Sequence, residues 1–432
     1  MTIDRFTSLL ELALLFAVVW ERRIRHRTAS FPLVPALLLA HVALFGLTTF
    51  FYRDELMALM GERTLDYASW LVLAGLSAMV LAYELPLLQL TMPWLPGLSI
   101  SWRRDPRGTL FIFLAIGLTA ATLQTVGVPR TLAGLLMVGV ILSFFALSAL
   151  WLLEFRGELA RGWPRPGLWL ATALLVGLEM VQGYLATPAT YVIVILIAYL
   201  HVRRRIPWAT LLALVPLLVL LTGIKGVFRQ ALPGWERAST AAKLEAYALA
   251  ARSTWDDPAL YDQWRALMSR MSDINIFAVV IEQTPREVPY WKGQSYWLLA
   301  WSLVPRFLMP GKPLLFADFG QRYGIVARYD DHTAINFPML VEFYANFGIA
   351  GVVIGMFMVG MLCRVLEEMF VDAPYSDAAF ALQSALLVQF LWAVELALET
   401  SLGALIQHLP VLLAIVALSG LCRIRLRSPF AS

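Results

Sequence analysis

Apolar blocks of 15 to 24 residues recur along this chain of 432 residues, and no other feature constrains its fold as much. About 20 apolar residues cross a bilayer as a helix, whereas a barrel strand needs only about ten of alternating polarity. The long blocks therefore exclude an outer-membrane barrel and predict an all-α, polytopic membrane helix bundle. Composition agrees: 59% of the residues are hydrophobic and only 15% are charged, against roughly 25% charged in soluble domains. Eleven transmembrane helices are predicted, at about 6–20, 31–52, 67–90, 109–126, 131–153, 168–184, 186–201, 207–224, 347–366, 378–398 and 402–421. Between 168 and 201, Gly183 and Pro188 interrupt one apolar stretch, which reads as two short helices or as a re-entrant pair. The sequence has no visible internal repeat and no low-complexity tract.

The arginines set the orientation. Of the 34 basic residues, four are Lys and the rest are Arg. One side of the predicted spans collects Arg22, Arg23, Arg25, Arg27, Arg103, Arg104, Arg107, Arg156, Arg161, Arg165, Arg203, Arg204, Arg205, Arg423, Arg425 and Arg427. By the positive-inside rule that side is cytoplasmic. Short loops on the opposite side carry only Arg53, Arg63 and Arg130, so the N-terminus is expected outside and the C-terminus inside. The first span has its positive flank after the apolar run and no small-residue cleavage site, which reads as a retained helix and not a removed signal. Cys363 and Cys422 both fall at predicted cytoplasmic helix ends, which supports neither a disulfide framework nor a cysteine metal site.

The chain then divides into eight N-terminal transmembrane helices (1–224), one large outer segment (225–346) and three C-terminal transmembrane helices (347–432). In the outer segment, Asp257-Pro258 has the form of a helix start, and the helix it opens is expected to reach Gln283 before Pro285. Pro289 to Gly293 reads as a turn, and a further helix is expected around 314–324. Trp291, Tyr296, Trp297 and Trp301 suit either the membrane interface or the core of the loop itself. Thirteen basic residues lie here, among them Lys225, Arg229, Arg270, Arg286, Arg306, Lys312, Arg322 and Arg328. The positive-inside bias gives no reason to place them on this side. A planar guanidinium binds phosphate oxygens in bidentate fashion, so a pyrophosphate-linked lipid headgroup is a natural ligand; pairing with the loop's own acids is the plainer alternative.

Ionisable residues within the spans are costly and often functional. Glu11, Glu84, Glu179, Glu395, His41 and His408 are the candidates. Glu395 and Glu399 share a helical face near the outer end of the tenth span, His408 follows in the eleventh, and Glu179 and Gln182 lie three apart near an outer turn.

Several stretches of the outer segment carry a resemblance: Ser269-Arg270-Met271-Ser272-Asp273, Gly293-Gln294-Ser295-Tyr296, Pro305 to Pro313, Asp331-His332-Thr333, and Pro338 to Gly348. Together they resemble the long periplasmic loop of the O-antigen (Wzy-type) polysaccharide polymerases, and are similar to those of enterobacterial common-antigen polymerases. The resemblance covers about 80 residues. Where many such proteins carry an arginine in the outer turn before the seventh span, this chain has Thr187-Pro188-Ala189-Thr190.

The resemblance implies an inner-membrane glycosyltransferase. It would move a growing glycan from undecaprenyl pyrophosphate to the sugar of an undecaprenyl-pyrophosphate-linked repeat unit, with membrane lipid and a chain-length regulator protein as further partners and no nucleic acid. The leaving pyrophosphate must be met by fixed cations and the acceptor hydroxyl by a base. The loop has no Asp-x-Asp motif, and the side chains of Asp256-Asp257 and Asp330-Asp331 diverge, so arginines are expected in place of a metal or cofactor. Arg270, His332 and Glu342 are the expected catalytic residues. Substrate contacts are expected from Lys225, Arg229, Asp273, Tyr296, Arg306, Lys312, Glu395 and His408. For Arg270 and Asp273 the alternative is an internal pair three residues apart on one helix; for Glu342 it is a helix-start carboxylate. A ligase passing glycan to another acceptor is the nearest enzymatic rival. A lipid-linked oligosaccharide flippase or other transporter is the rival class, though transporters usually show repeated halves.

Overall fold

The computed structural model describes the chain apart from residues 1, 21–32, 86–96, 128–129, 161, 184, 236–237, 257–258, 303, 305–308, 310–318, 328–336, 371–375 and 428–432. Its elements begin with α1 (Ile3–Val19), then α2 (Leu33–His41), which continues through a π-helical turn (Val42–Gly46) into α3 (Leu47–Phe51). Next come α4 (Arg53–Met60), α5 (Glu62–Glu84), β1 (Gly97–Trp102), α6 (Arg107–Val126), α7 (Arg130–Arg156), α8 (Pro164–Val181), α9 (Ala186–Arg203) and α10 (Trp208–Ala231). The large loop contributes α11 (Thr240–Asp256), α12 (Leu260–Met271), α13 (Asp273–Gln283), α14 (Gln294–Ser302) and α15 (Phe319–Arg322). The chain closes with α16 (Met339–Met369), α17 (Asp377–Glu395), α18 (Leu398–Leu418) and β2 (Cys422–Arg427).

Among the described residues every apolar block is helical, and the bundle is a polytopic one. Eight helical stretches are long and apolar enough to cross a membrane: Leu33–Phe51, Glu62–Glu84, Arg107–Val126, Gly134–Arg156, Ala186–Arg203, Trp208–Ala231, Met339–Met369 and Thr400–Leu418. The other three blocks form α1, α8 and α17; α1 has only 17 residues and buries Asp4 and Glu11. The stretch 168–201 is two helices, parted at Gly183, whose φ of 78° is open to glycine without strain. Pro188 falls in the first turn of α9, where the missing N–H would have no intrahelical partner.

Helices in lipid gain little from apolar burial against one another, so close van der Waals approach through small residues holds them. A Cβ on Gly360 of α16 would lie 2.1 Å from the Met79 carbonyl oxygen of α5. Between α6 and α7, a Cβ on Gly117 would lie 2.3 Å from Ser143 Cβ and one on Gly139 2.7 Å from that of Ala120. These glycines let the backbones touch.

Three features depart from the sequence reading. The helix expected from 258 to 283 is two helices, α12 and α13, parted at Ser272 (φ −85°, ψ 77°). Helix α16 begins at Met339, ahead of its predicted span, and breaks at Phe347 (φ −141°) and Gly348 (φ 62°). The two carbonyls just before this break, Ala345 and Asn346, accept the N–H groups of Trp291 (3.0 Å) and Lys292 (3.2 Å), while Asn346 Oδ1 accepts that of Gly293 (2.8 Å). The turn expected at 289–293 is thus bonded onto α16. Finally, β1 and β2 form an antiparallel two-stranded ribbon at the arginine-rich end, a departure from an all-α chain.

The loop helices pack over one end of the bundle. Arg265 of α12 pairs with Glu55 at 3.0 Å, Trp264 meets Phe51 edge to face, and Thr64 donates to Glu282 of α13 at 2.9 Å. The loop's aromatics extend the core of the bundle: Trp291, Phe319, Tyr323 and Phe337 are buried in one cluster with it, and Phe319 stacks on Phe337 at 3.9 Å. Of the four aromatics with two possible roles, Trp291 therefore belongs to the core and Tyr296 stacks on Phe347. Trp297 is exposed.

Candidate functional site

The last turns of α10 bring two cations to the loop end. Lys225 and Arg229 are four residues apart, so they share a face of the helix. From α12, Arg270 reaches the same place, and Glu395 closes it from the last turn of α17. Arg270 Nη2 lies 3.9 Å from Glu395 Oε2, with the arginine side chain 54% exposed. A contact that long and that exposed holds little energy, which leaves the guanidinium open to another partner. Lys225 feels the charges of Arg229, Arg270 and Glu395 together. Five expected substrate contacts and catalytic residues (Lys225, Arg229, Arg270, Asp273 and Glu395) therefore converge from three separate stretches of chain.

Asp273 is the buried member of the group. The break at Ser272 places it at the first position of α13, not one turn along a common helix from Arg270, so the internal-pair alternative loses its geometry. Among the described residues its Oδ2 has no hydrogen-bond partner, and neither does the buried Ser272 hydroxyl. Burial, with the added charge of Glu395, raises the Asp273 pKa well above the ordinary carboxylate range, against the opposing pull of Arg270.

Arg229 also donates from Nη2 to the Gly183 carbonyl at 3.1 Å and lies over the Trp235 ring at 4.9 Å. Trp235 in turn packs on Gly183, where a Cβ would come within 2.7 Å of the ring. An arginine therefore does stand at the turn between α8 and α9, supplied from α10 and not from the 187–190 segment.

Glu342 has a different environment. It is fully buried in α16, and its Oε2 accepts the N–H of Leu398, the first residue of α18, at 2.7 Å. That N–H is one of the donors every helix start leaves unpaired, so the carboxylate caps α18 across space. Asn346 donates to the Glu342 carbonyl at 2.9 Å and to Ser295 Oγ at 2.8 Å. Glu342, expected as an acceptor base, thereby joins α16 to α18 through one of its two oxygens. Tyr296 borders it; burial raises its phenol pKa above the ordinary value, with the Glu342 charge adding to this. Glu342→Gln keeps an acceptor for Leu398 and is expected to keep most of the stability, whereas Glu342→Ala loses the cap, at a cost of about 0.5–2 kcal/mol. Thermal unfolding of the two variants checks this, and near-equal losses would remove the capping role.

His408 stands ten residues into α18, about 15 Å along its axis from Leu398, and does not join the cluster. Arg306, Lys312 and His332 lie outside the described residues. Among the other ionisable candidates, Glu11, His41 and Glu179 are buried and Glu84 is exposed. Gln182 donates to Thr125 Oγ1 at 3.3 Å. Among the described residues no three His, Cys, Asp or Glu side chains converge as a metal site would need.

The chain belongs to the family described as Domain of unknown function (DUF8712), whose model matches residues 171–387, half of its length. The match runs from within α8 into α17 and contains Lys225, Arg229, Arg270 and Asp273, while Glu395 lies just beyond it. No curated protein and no solved structure matches the chain.

Proposed function

We propose that this protein is a polysaccharide polymerase acting at the periplasmic face of a bacterial inner membrane. In this reading eleven helices cross the bilayer, the N-terminus is periplasmic, the C-terminus is cytoplasmic, and 225–346 faces the periplasm. The observation that carries the reading is the meeting of Lys225 and Arg229 with Arg270 at the end of the bundle from which the large loop rises. Three cations gathered there suit a ligand with several phosphate oxygens, presented by a lipid at the level of the helix ends.

The reaction needs little else from the protein. The bond between the donor sugar's anomeric carbon and the pyrophosphate oxygen breaks, and the acceptor hydroxyl oxygen takes its place. Its proton passes to a base, the role given to His332. Undecaprenyl pyrophosphate leaves with the bond's electron pair, and pre-organised guanidinium groups stabilise the charge it gains. Such groups need no divalent metal. A chain-length regulator is the partner expected to set when elongation stops.

The test is direct. Purified protein given an undecaprenyl-pyrophosphate-linked repeat unit, without nucleotide sugar and with EDTA present, should build a ladder of longer glycans. Loss of the ladder in EDTA and its return with magnesium or manganese would overturn the metal-free account. Movement of the substrate across the bilayer with no new glycosidic bond would identify a flippase, and a single transfer to a different acceptor would identify a ligase.

A further inference from the structure

From the β1–β2 ribbon we infer a second, separate site: a surface that binds the phosphate groups of anionic phospholipids at the arginine-rich end of the bundle. The pairing register is Gly97 with Arg427, Leu98 with Leu426, Ser99 with Arg425, Ile100 with Ile424, Ser101 with Arg423 and Trp102 with Cys422. Strand side chains alternate between faces, so the ribbon has two unlike sides. One carries Cys422, Ile424 and Leu426 opposite Trp102, Ile100 and Leu98. It packs on the bundle, with Ile100 and Cys422 buried and Trp102 edge to face with Phe145. The other carries Arg423 and Arg425 opposite only Ser101 and Ser99. Across the ribbon from these two arginines stand only small hydroxyl side chains.

Arg423 and Arg425 are exposed, as are Arg103 and Arg104 just beyond β1. Among the described residues, Arg103, Arg423 and Arg425 make no ion pair, and the nearby Asp105 is taken by Arg107 at 3.5 Å. Arg104 is turned to the junction, donating to the Ser419 carbonyl at 2.8 Å. Among the described residues the row of cations is thus uncompensated.

Its position selects the occupant. Helix α18 is one of the helices able to cross a membrane, and the ribbon follows its last residue after a three-residue connection, turned by Gly420 at φ 64°. Leu418 is 87% exposed and Leu426 74% exposed, so apolar side chains flank the ribbon where a bilayer would meet it. Trp163 and Trp208, at the same end of α8 and α10, are exposed as well, the placement of aromatic residues at headgroup level. A bidentate guanidinium row at that depth matches lipid phosphates. The proposal is independent of the polymerase reading.

The experiment uses the full chain in a neutral detergent, titrated with phosphatidylglycerol or phosphatidylcholine and followed by thermal unfolding and by native mass spectrometry of retained lipid. Phosphatidylglycerol should raise the midpoint and stay bound; phosphatidylcholine should do neither, and added salt should weaken the effect. In Arg423→Gln/Arg425→Gln the apparent affinity for phosphatidylglycerol should fall about 30-fold, the combined effect of two arginines near an anionic surface. Arg423→Lys/Arg425→Lys should lose only a few-fold, which provides the readout if the glutamine variant does not fold. Equal response to the two lipids, or an unchanged preference in the variants, overturns the proposal. So does inorganic phosphate stabilising the wild type as well as the lipid does, with that response lost in Arg423→Gln/Arg425→Gln, since the face would then read free phosphate.

Discussion

Arg270→Lys is expected to lower glycan transfer about 10²-fold at normal protein abundance, although it keeps the positive charge. The reasoning rests on the shape of the group. An ammonium is a point charge, while the guanidinium fork meets two phosphate oxygens at once, and removing one pre-organised donor to a developing anion costs about 10²–10³ in rate. Arg270 is more than half exposed and among the described residues its only ion pair is the 3.9 Å contact to Glu395, so the substitution should leave stability nearly unchanged. A structural role for Arg270 predicts the reverse, lost stability with turnover intact. His332→Ala should slow transfer by about 10²–10⁴, as for other general acid–base groups, yet leave binding of the lipid pyrophosphate alone unaltered. Arg270→Lys should weaken that binding. Wild-type chain lengths from both variants would sink the assignment of either residue to the reaction.

The span pattern was legible because a bilayer demands a length and an apolarity that sequence states directly. What lies at the loop end was less so. Ser272-Asp273 is a helix-start signal, but an apolar pattern continuous from Leu267 to Ile281 reads as one helix, and the break that buries Asp273 was lost. Lys225 and Arg229 were legible as loop cations; that α10 continues to Ala231, putting both on one helical face, was not. Their meeting with Arg270 and Glu395 depends on how α10, α12 and α17 pack, which no local spacing encodes. The ribbon did have a signal. Cys422 to Arg427 alternates apolar and basic residues with a period of two, but six residues after a span are read first for charge, and the partner strand lies over 300 residues away. The hydrogen bond from Leu398 to Glu342 joins two helices 56 residues apart, a link that the acidity of the residue alone does not reveal.

Arg53 is one of three arginines on the side that the charge bias leaves almost empty, and its replacement by alanine is expected to destabilise the protein by about 3–5 kcal/mol, the cost of leaving a buried charge without its partner. Its Nε donates to Asp4 Oδ2 at 2.8 Å, with the aspartate side chain fully buried and the arginine 9% exposed, and its Nη2 reaches Glu62 at 3.0 Å. This network ties α1 to the start of α4 and the start of α5. Ser8 joins α1 to α3 as well, its hydroxyl lying 2.7 Å from that of Thr49. Arg53 is therefore held by acids of its own chain, which explains why an arginine persists there against the bias. Glu62, more exposed, should contribute under about 1 kcal/mol, so Glu62→Gln is the mild control. Asp4→Asn should cost less than Arg53→Ala, because it leaves an arginine that still has Glu62. In the double variant Asp4→Asn/Arg53→Ala the loss should be smaller than the sum of the single losses, since no buried charge remains uncompensated. Reversible unfolding in mixed micelles measures all four. Strict additivity would mean that Asp4 and Arg53 do not act as a pair and that something other than their ion pair anchors α1 to the bundle.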